Sequence, residues 1–131
     1  MDDASRAAGS ALAVWLKKKN ADIRSLENNA LVALNERGDA VRHKKLLHEK
    51  AVLTANLQKA AEPLLADLPE DYREIFIDRL TAFTKHAENA LNIGSVFYMY
   101  ALLYPDNHKD GDPNHLESLI ALLEKHLYQR S

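Results

Sequence analysis

Between Leu12 and Ala33 the apolar residues recur at alternating spacings of four and three: Leu12, Leu16, Ile23, Leu26, Ala30 and Ala33, with Lys19 as the single polar interruption. Such a heptad seam admits a long amphipathic helix and excludes a strand, which would need apolar residues at every second position. The helix is predicted over about 4–37, and at about 1.5 Å per residue it reaches roughly 50 Å. A second seam follows at Leu46, Lys50, Leu53, Leu57, Ala60 and Leu64. It predicts a helix over about 40–62. The joint is Arg37-Gly38-Asp39-Ala40, where Gly38 can take the left-handed conformation that closes one helix and Asp39 can cap the next. The two helices read as a long antiparallel hairpin.

Three shorter helices are expected after it, over about 70–92, 95–104 and 113–129. Pro63 has no N–H to donate, so it is expected to end or kink the second helix, and Pro69-Glu70-Asp71 reads as the first turn of the third. Tyr72, Ile75, Phe76, Leu80, Phe83, Ala87 and Ala90 give that third helix a broad apolar face, and Gly94 marks its stop. The fourth, from Ser95 to Tyr104, is apolar nearly all round, which places it at the centre of the C-terminal bundle. The fifth carries Leu116, Leu119, Ile120, Leu123 and Leu127 on one face. No segment has strand periodicity. The expected fold is all-α, one domain over 1–131, with a long antiparallel hairpin leading into a bundle of three shorter helices.

Composition narrows the chemistry. The absence of cysteine excludes a disulfide framework, a thiolate nucleophile and any cysteine-ligated metal, and fits a reducing cytoplasm. With 17 basic and 19 acidic residues the net charge is -2, which argues against a main task of gripping nucleic acid by its phosphates. No secretory signal is expected, because the apolar run SALAVWL follows an acidic start and precedes Lys17-Lys18-Lys19. The most apolar segment, from Ser95, is about half the roughly 20 residues a membrane span requires, so no membrane partner is expected.

One stretch has dense local chemistry. In YPDNHKDGDPNHLESL, Asp106, Asp110, Gly111 and Glu117 fall at positions 1, 5, 6 and 12 of a twelve-residue loop, with Asp112 at 7 and Asn114 at 9. The segment 106–117 resembles an EF-hand loop, and the resemblance implies a single calcium-binding module with ligands from Asp106, Asp110, Asp112, Asn114 and Glu117. It departs from that pattern at His108, an imidazole where calcium takes oxygen, and at Pro113, which lacks a backbone donor. The same residues also make a metal-free helix start. Asp112 before Pro113 is one candidate cap, and Asn114 with Glu117 three later is a possible capping box.

The six histidines include no Glu-x-x-His and no His-x-x-x-His pair, so a di-metal bundle site is not indicated. His86 lies near the apolar face of the third helix and is a candidate buried histidine. Arg37 and Arg42 each precede a histidine, His43 and His48, by six residues. That spacing is similar to the Arg-x4-6-His signature of HEPN-type ribonucleases, which are also small all-α domains. The resemblance implies RNA cleavage by these residues in a dimer, whereas the bland reading is a solvated charged face. No nucleophile elbow and no glycine-rich phosphate loop is present.

The leading expectation follows from the seams. A rod of this length should outrun its own bundle and leave Leu12, Leu16, Ile23, Leu26, Leu46, Leu53 and Leu57 as apolar surface for another chain. The function expected is that of a non-enzymatic adaptor, chaperone-like or assembly protein without cofactor. A homodimer is the first choice of partner and another helical protein the second.

Overall fold

The computed structural model describes residues 2–128. Among them are six helices: α1 (Asp3–Asn35), α2 (Ala40–Ala55), α3 (Leu57–Leu65), α4 (Glu70–Ile93), α5 (Val96–Ala101) and α6 (His115–Tyr128). The described residues contain no strand. Residue 129, the expected end of the last helix, lies outside them. The protein is an all-α bundle, and none of its described helices is long and apolar enough to cross a membrane.

Local signals act where they are expected. Asp2 accepts a hydrogen bond from the Ser5 N–H, so α1 begins before the Gly9-Ser10 pair. Gly9 is buried in the helix, where a Cβ would meet the Leu127 side chain of α6, so it marks a close approach of two helices. Gly38 takes a φ of 61° while the Gly38 and Asp39 N–H groups donate to the Leu34 and Ala33 carbonyls. Asp39 then caps α2 through the Arg42 N–H. Gly94, at φ 70°, ends α4.

The second predicted helix is broken, and the break is not at Pro63. It falls at Asn56, whose side-chain amide donates to the Val52 carbonyl at 2.8 Å, a local bond that competes with the helical ladder. Pro63 sits inside α3, which ends two residues later at Leu65, so little helix remains downstream for the missing N–H to disrupt.

The seams need correction in one respect: they are covered by the chain itself. Leu12, Leu16, Ile23, Leu46 and Leu57 are buried, and Leu26 and Leu53 are half-buried. One core gathers Leu12, Leu16 and Ile23 with Leu57 and Leu65 of α3, Phe76 and Leu80 of α4, and Leu116 and Leu123 of α6. A second, at the hairpin end, gathers Ala30 with Leu47 and Ala51 of α2, Ala87 and Ala90 of α4, and Met99 of α5. The expectation of an uncovered rod took the later helices as a knot at one end. Instead α2 and α3 run back along α1 in series, and α4, itself 24 residues or roughly 36 Å long, lies beside them. Buried residues therefore run along α1 from Gly9 to Ala33.

The fourth predicted helix is also corrected. It is cut to six residues, and Met99 is its one buried side chain. Phe97 is 74% exposed and Tyr98 52%, so this apolar helix forms an outer corner of the molecule rather than its centre.

Candidate functional site

The stretch from Tyr104 to Leu119 is organised around a helix cap. Asn114 Oδ1 accepts from the Glu117 N–H at 2.7 Å while Glu117 Oε1 accepts from the Asn114 N–H at 2.8 Å, a reciprocal capping box. Pro113 precedes the helix, and Asp112 accepts from the Lys109 N–H. His108 Nε2 donates to the Asp112 carbonyl, which closes the turn. Asp106, Asp110 and Asp112 are exposed, Asn114 is buried, and Glu117 is turned toward α1. The five predicted calcium ligands therefore do not converge, and no three His, Asp or Glu side chains among the described residues form a metal-binding group.

Glu117 instead closes a polar network against α1. Arg24 Nη2 donates to Glu117 Oε1 at 2.6 Å, and Asn20 Nδ2 donates to Glu117 Oε2 at 3.0 Å. Arg24 Nη1 donates to the Tyr104 hydroxyl, which donates in turn to Glu27 Oε1 at 2.6 Å. Glu27 Oε2 faces Lys50 Nζ at 2.8 Å. Lys50 is fully buried and also donates to the carbonyls of Tyr100 and Leu102, at 2.7 and 2.9 Å. Burial pulls the Lys50 ammonium below its ordinary value, against the attraction of Glu27. Burial likewise raises the Tyr104 phenol, reinforced by its bond to Glu27.

This network holds an unusual turn. Leu103 has a φ of 71°, a conformation that costs a side-chain-bearing residue about 1–2 kcal/mol. Lys50 grips the preceding carbonyl, and the His115 N–H donates to the Leu103 carbonyl at 2.7 Å. The position of Lys50 on an apolar seam is the sequence signal that could have pointed to a buried partner. Nothing local names Glu27, 23 residues away. Beside the network lies a cleft of about 510 Å³, lined by Tyr100, Tyr104, His108 and Asp112. The charges of Arg24, Glu27, Lys50 and Glu117 are all paired internally, so the arrangement is a structural staple.

Glu117 gives a pH test of that staple. Burial alone would raise its carboxyl, but Arg24, the Asn114 N–H and Asn20 together hold it below its ordinary value. A depressed carboxyl adds stability above the unfolded value near 4.5 and loses it as pH falls through the lower folded value. Glu117→Gln is therefore expected to be less stable than wild type at neutral pH, with the gap closing below about pH 4.5. Urea unfolding across pH would read this, and a gap constant with pH would contradict it.

The histidines divide differently from expectation. His43 is buried and its Nδ1–H donates to the Ala30 carbonyl at 2.9 Å, so it is a core histidine rather than a solvated one. His48 is exposed, and so is His86.

The side of the molecule with unmet chemistry is the α4–α5 corner. Ile93, at the end of α4, and Phe97 and Tyr98 of α5 are exposed apolar residues, and Phe97 meets Tyr98 edge-on at 5.7 Å between ring centres. Tyr98 also borders a hollow of about 520 Å³ that reaches His86 and His115. The fold and this surface define a small helical bundle with an exposed aromatic corner. Comparison of the chain with protein-family models, curated proteins and solved structures finds no match.

Proposed function

We propose that this protein is a non-enzymatic helical interaction module, of the adaptor or assembly kind, that docks through the α4–α5 corner. The seam residues Leu12, Leu16 and Ile23 are core and do not serve as its contact surface. The observation that carries the reading is the exposure of Phe97 and Tyr98 on a short helix whose one buried residue, Met99, already secures it. Aromatic side chains bury about 150–250 Å² each when covered, which at about 25 cal/mol per Å² makes such a pair a strong anchor for a partner. Within the fold they contribute little, so stability does not explain them. Aromatic residues of this kind are enriched at the centre of protein interfaces.

A photo-crosslinking residue placed at Phe97 in the native cell is expected to yield a discrete protein adduct. The same residue at Val14, which is 70% exposed on the first half of α1, serves as the control. Equal labelling from both positions, or none from Phe97, would remove this reading.

A further inference from the structure

The outer edges of α4 and α6 do not close on one another, although both helices feed the same core. Three adjoining hollows of about 520, 160 and 260 Å³ run along this edge, and all three touch His115. Their floor is apolar, made by Phe83, Leu103, Leu119 and Leu122. Their rim is basic. Arg79 and His86 stand on α4, and His115 on the first turn of α6, its ring stacked on Phe83 at 6.3 Å.

The side chains of Arg79, His86 and His115 make no hydrogen bond or ion pair among the described residues. Partial burial lowers the His115 imidazolium, and the positive charges of His86 and Arg79 lower it further. Facing the trough from other segments are Tyr98 of α5, Tyr104 and Asp106 of the loop after it, and Ser118 of α6. The middle of the trough thus gathers Arg79, His86 and His115 with no carboxylate among the residues that line it.

We infer that this trough is the docking groove for an acidic segment of a foreign protein, anchored by apolar side chains on Phe83, Leu103 and Leu119 and presenting a carboxylate to Arg79 and His115. The inference rests on the interaction reading above and adds the chemistry of the partner. Charge complementarity selects the occupant. A second copy docked about a twofold axis through this groove would set its cations against copies of themselves. The lined stretch of α4, from Arg79 to Ala90, spans roughly 16 Å, longer than a small anion and suited to a few residues of peptide. Tyr98 makes the groove continuous with the exposed corner, so one ligand can use both.

The full-length protein would be used to select binders from a phage-displayed library of random dodecapeptides. Selected peptides are expected to place Asp or Glu close to Leu, Phe or Trp. Their affinity should rise as pH falls from about 8 to about 5.5, since the His115 imidazolium is held down in the free protein and a bound carboxylate favours its proton uptake. The double variant Arg79→Gln, His115→Gln should weaken them by about tenfold or more, as loss of charged hydrogen bonds predicts. Both residues are exposed, so its melting temperature should match wild type and report intact folding. Absence of acidic enrichment, or unchanged affinity in the double variant, overturns the inference, as does equally tight binding of a dodecauridylate. Peptides that tolerate the double variant yet are lost on Phe97→Ser would remove the groove and leave the interaction module standing. Peptides indifferent to both changes would remove both.

Discussion

Glu27→Ala is expected to lower the unfolding free energy by about 3–5 kcal/mol, measured by urea denaturation, the largest effect of any polar substitution in the molecule. The reason is what remains behind. Lys50 would keep its buried position between the Tyr100 and Leu102 carbonyls but lose its counter-ion, and the Tyr104 hydroxyl would lose its acceptor. A buried charge without a partner costs far more than the pair contributed when complete. Because burial already lowers the Lys50 ammonium, the amine can shed its proton, and that sets an upper bound on the loss. The double variant Glu27→Leu, Lys50→Met should recover part of the loss but not all of it, since two carbonyls beside the Leu103 turn would then lack a donor. If the single and double variants were equally stable, the ion pair would not be the origin of the effect.

Leu16→Ala is expected to cost about 2–5 kcal/mol, with a thermal midpoint independent of protein concentration. Leu16 is fully buried among side chains from α3, α4 and α6, so truncation leaves a cavity that a helix bundle fills only partly. Val14, two residues away and facing solvent, should tolerate alanine within about 0.5 kcal/mol. This contrast separates a core seam from an intermolecular one. A midpoint for Leu16→Ala that moved with concentration would mean that a second molecule covers the seam after all.

The capping box shows how far local reading extends. Asn114 and Glu117 are three residues apart, and their bonds close within one helical turn, so their pairing could be read directly. The same holds for Gly38, Asp39 and Gly94, whose roles depend on their own φ angles or on residues three or four away. The bond that Glu117 makes to Arg24 could not be read in this way. It joins residues 93 apart, and it diverts the carboxylate that a calcium loop would have needed. Likewise Phe97 and Tyr98 carry the same hydrophobicity whether enclosed or exposed, and α5 became a corner because its chain turns sharply at Leu102-Leu103 after six residues.

Periodicity, caps and turn residues were enough to establish that the chain is helical and where most of its helices begin and end, because helix energetics are set within a turn or two. Which edges of those helices meet depends on contacts between residues many tens apart, where each apolar stripe has several equivalent partners. Only the tertiary structure decided that the long seam is core, that Lys50 answers Glu27, and that the open apolar surface lies between α4, α5 and α6.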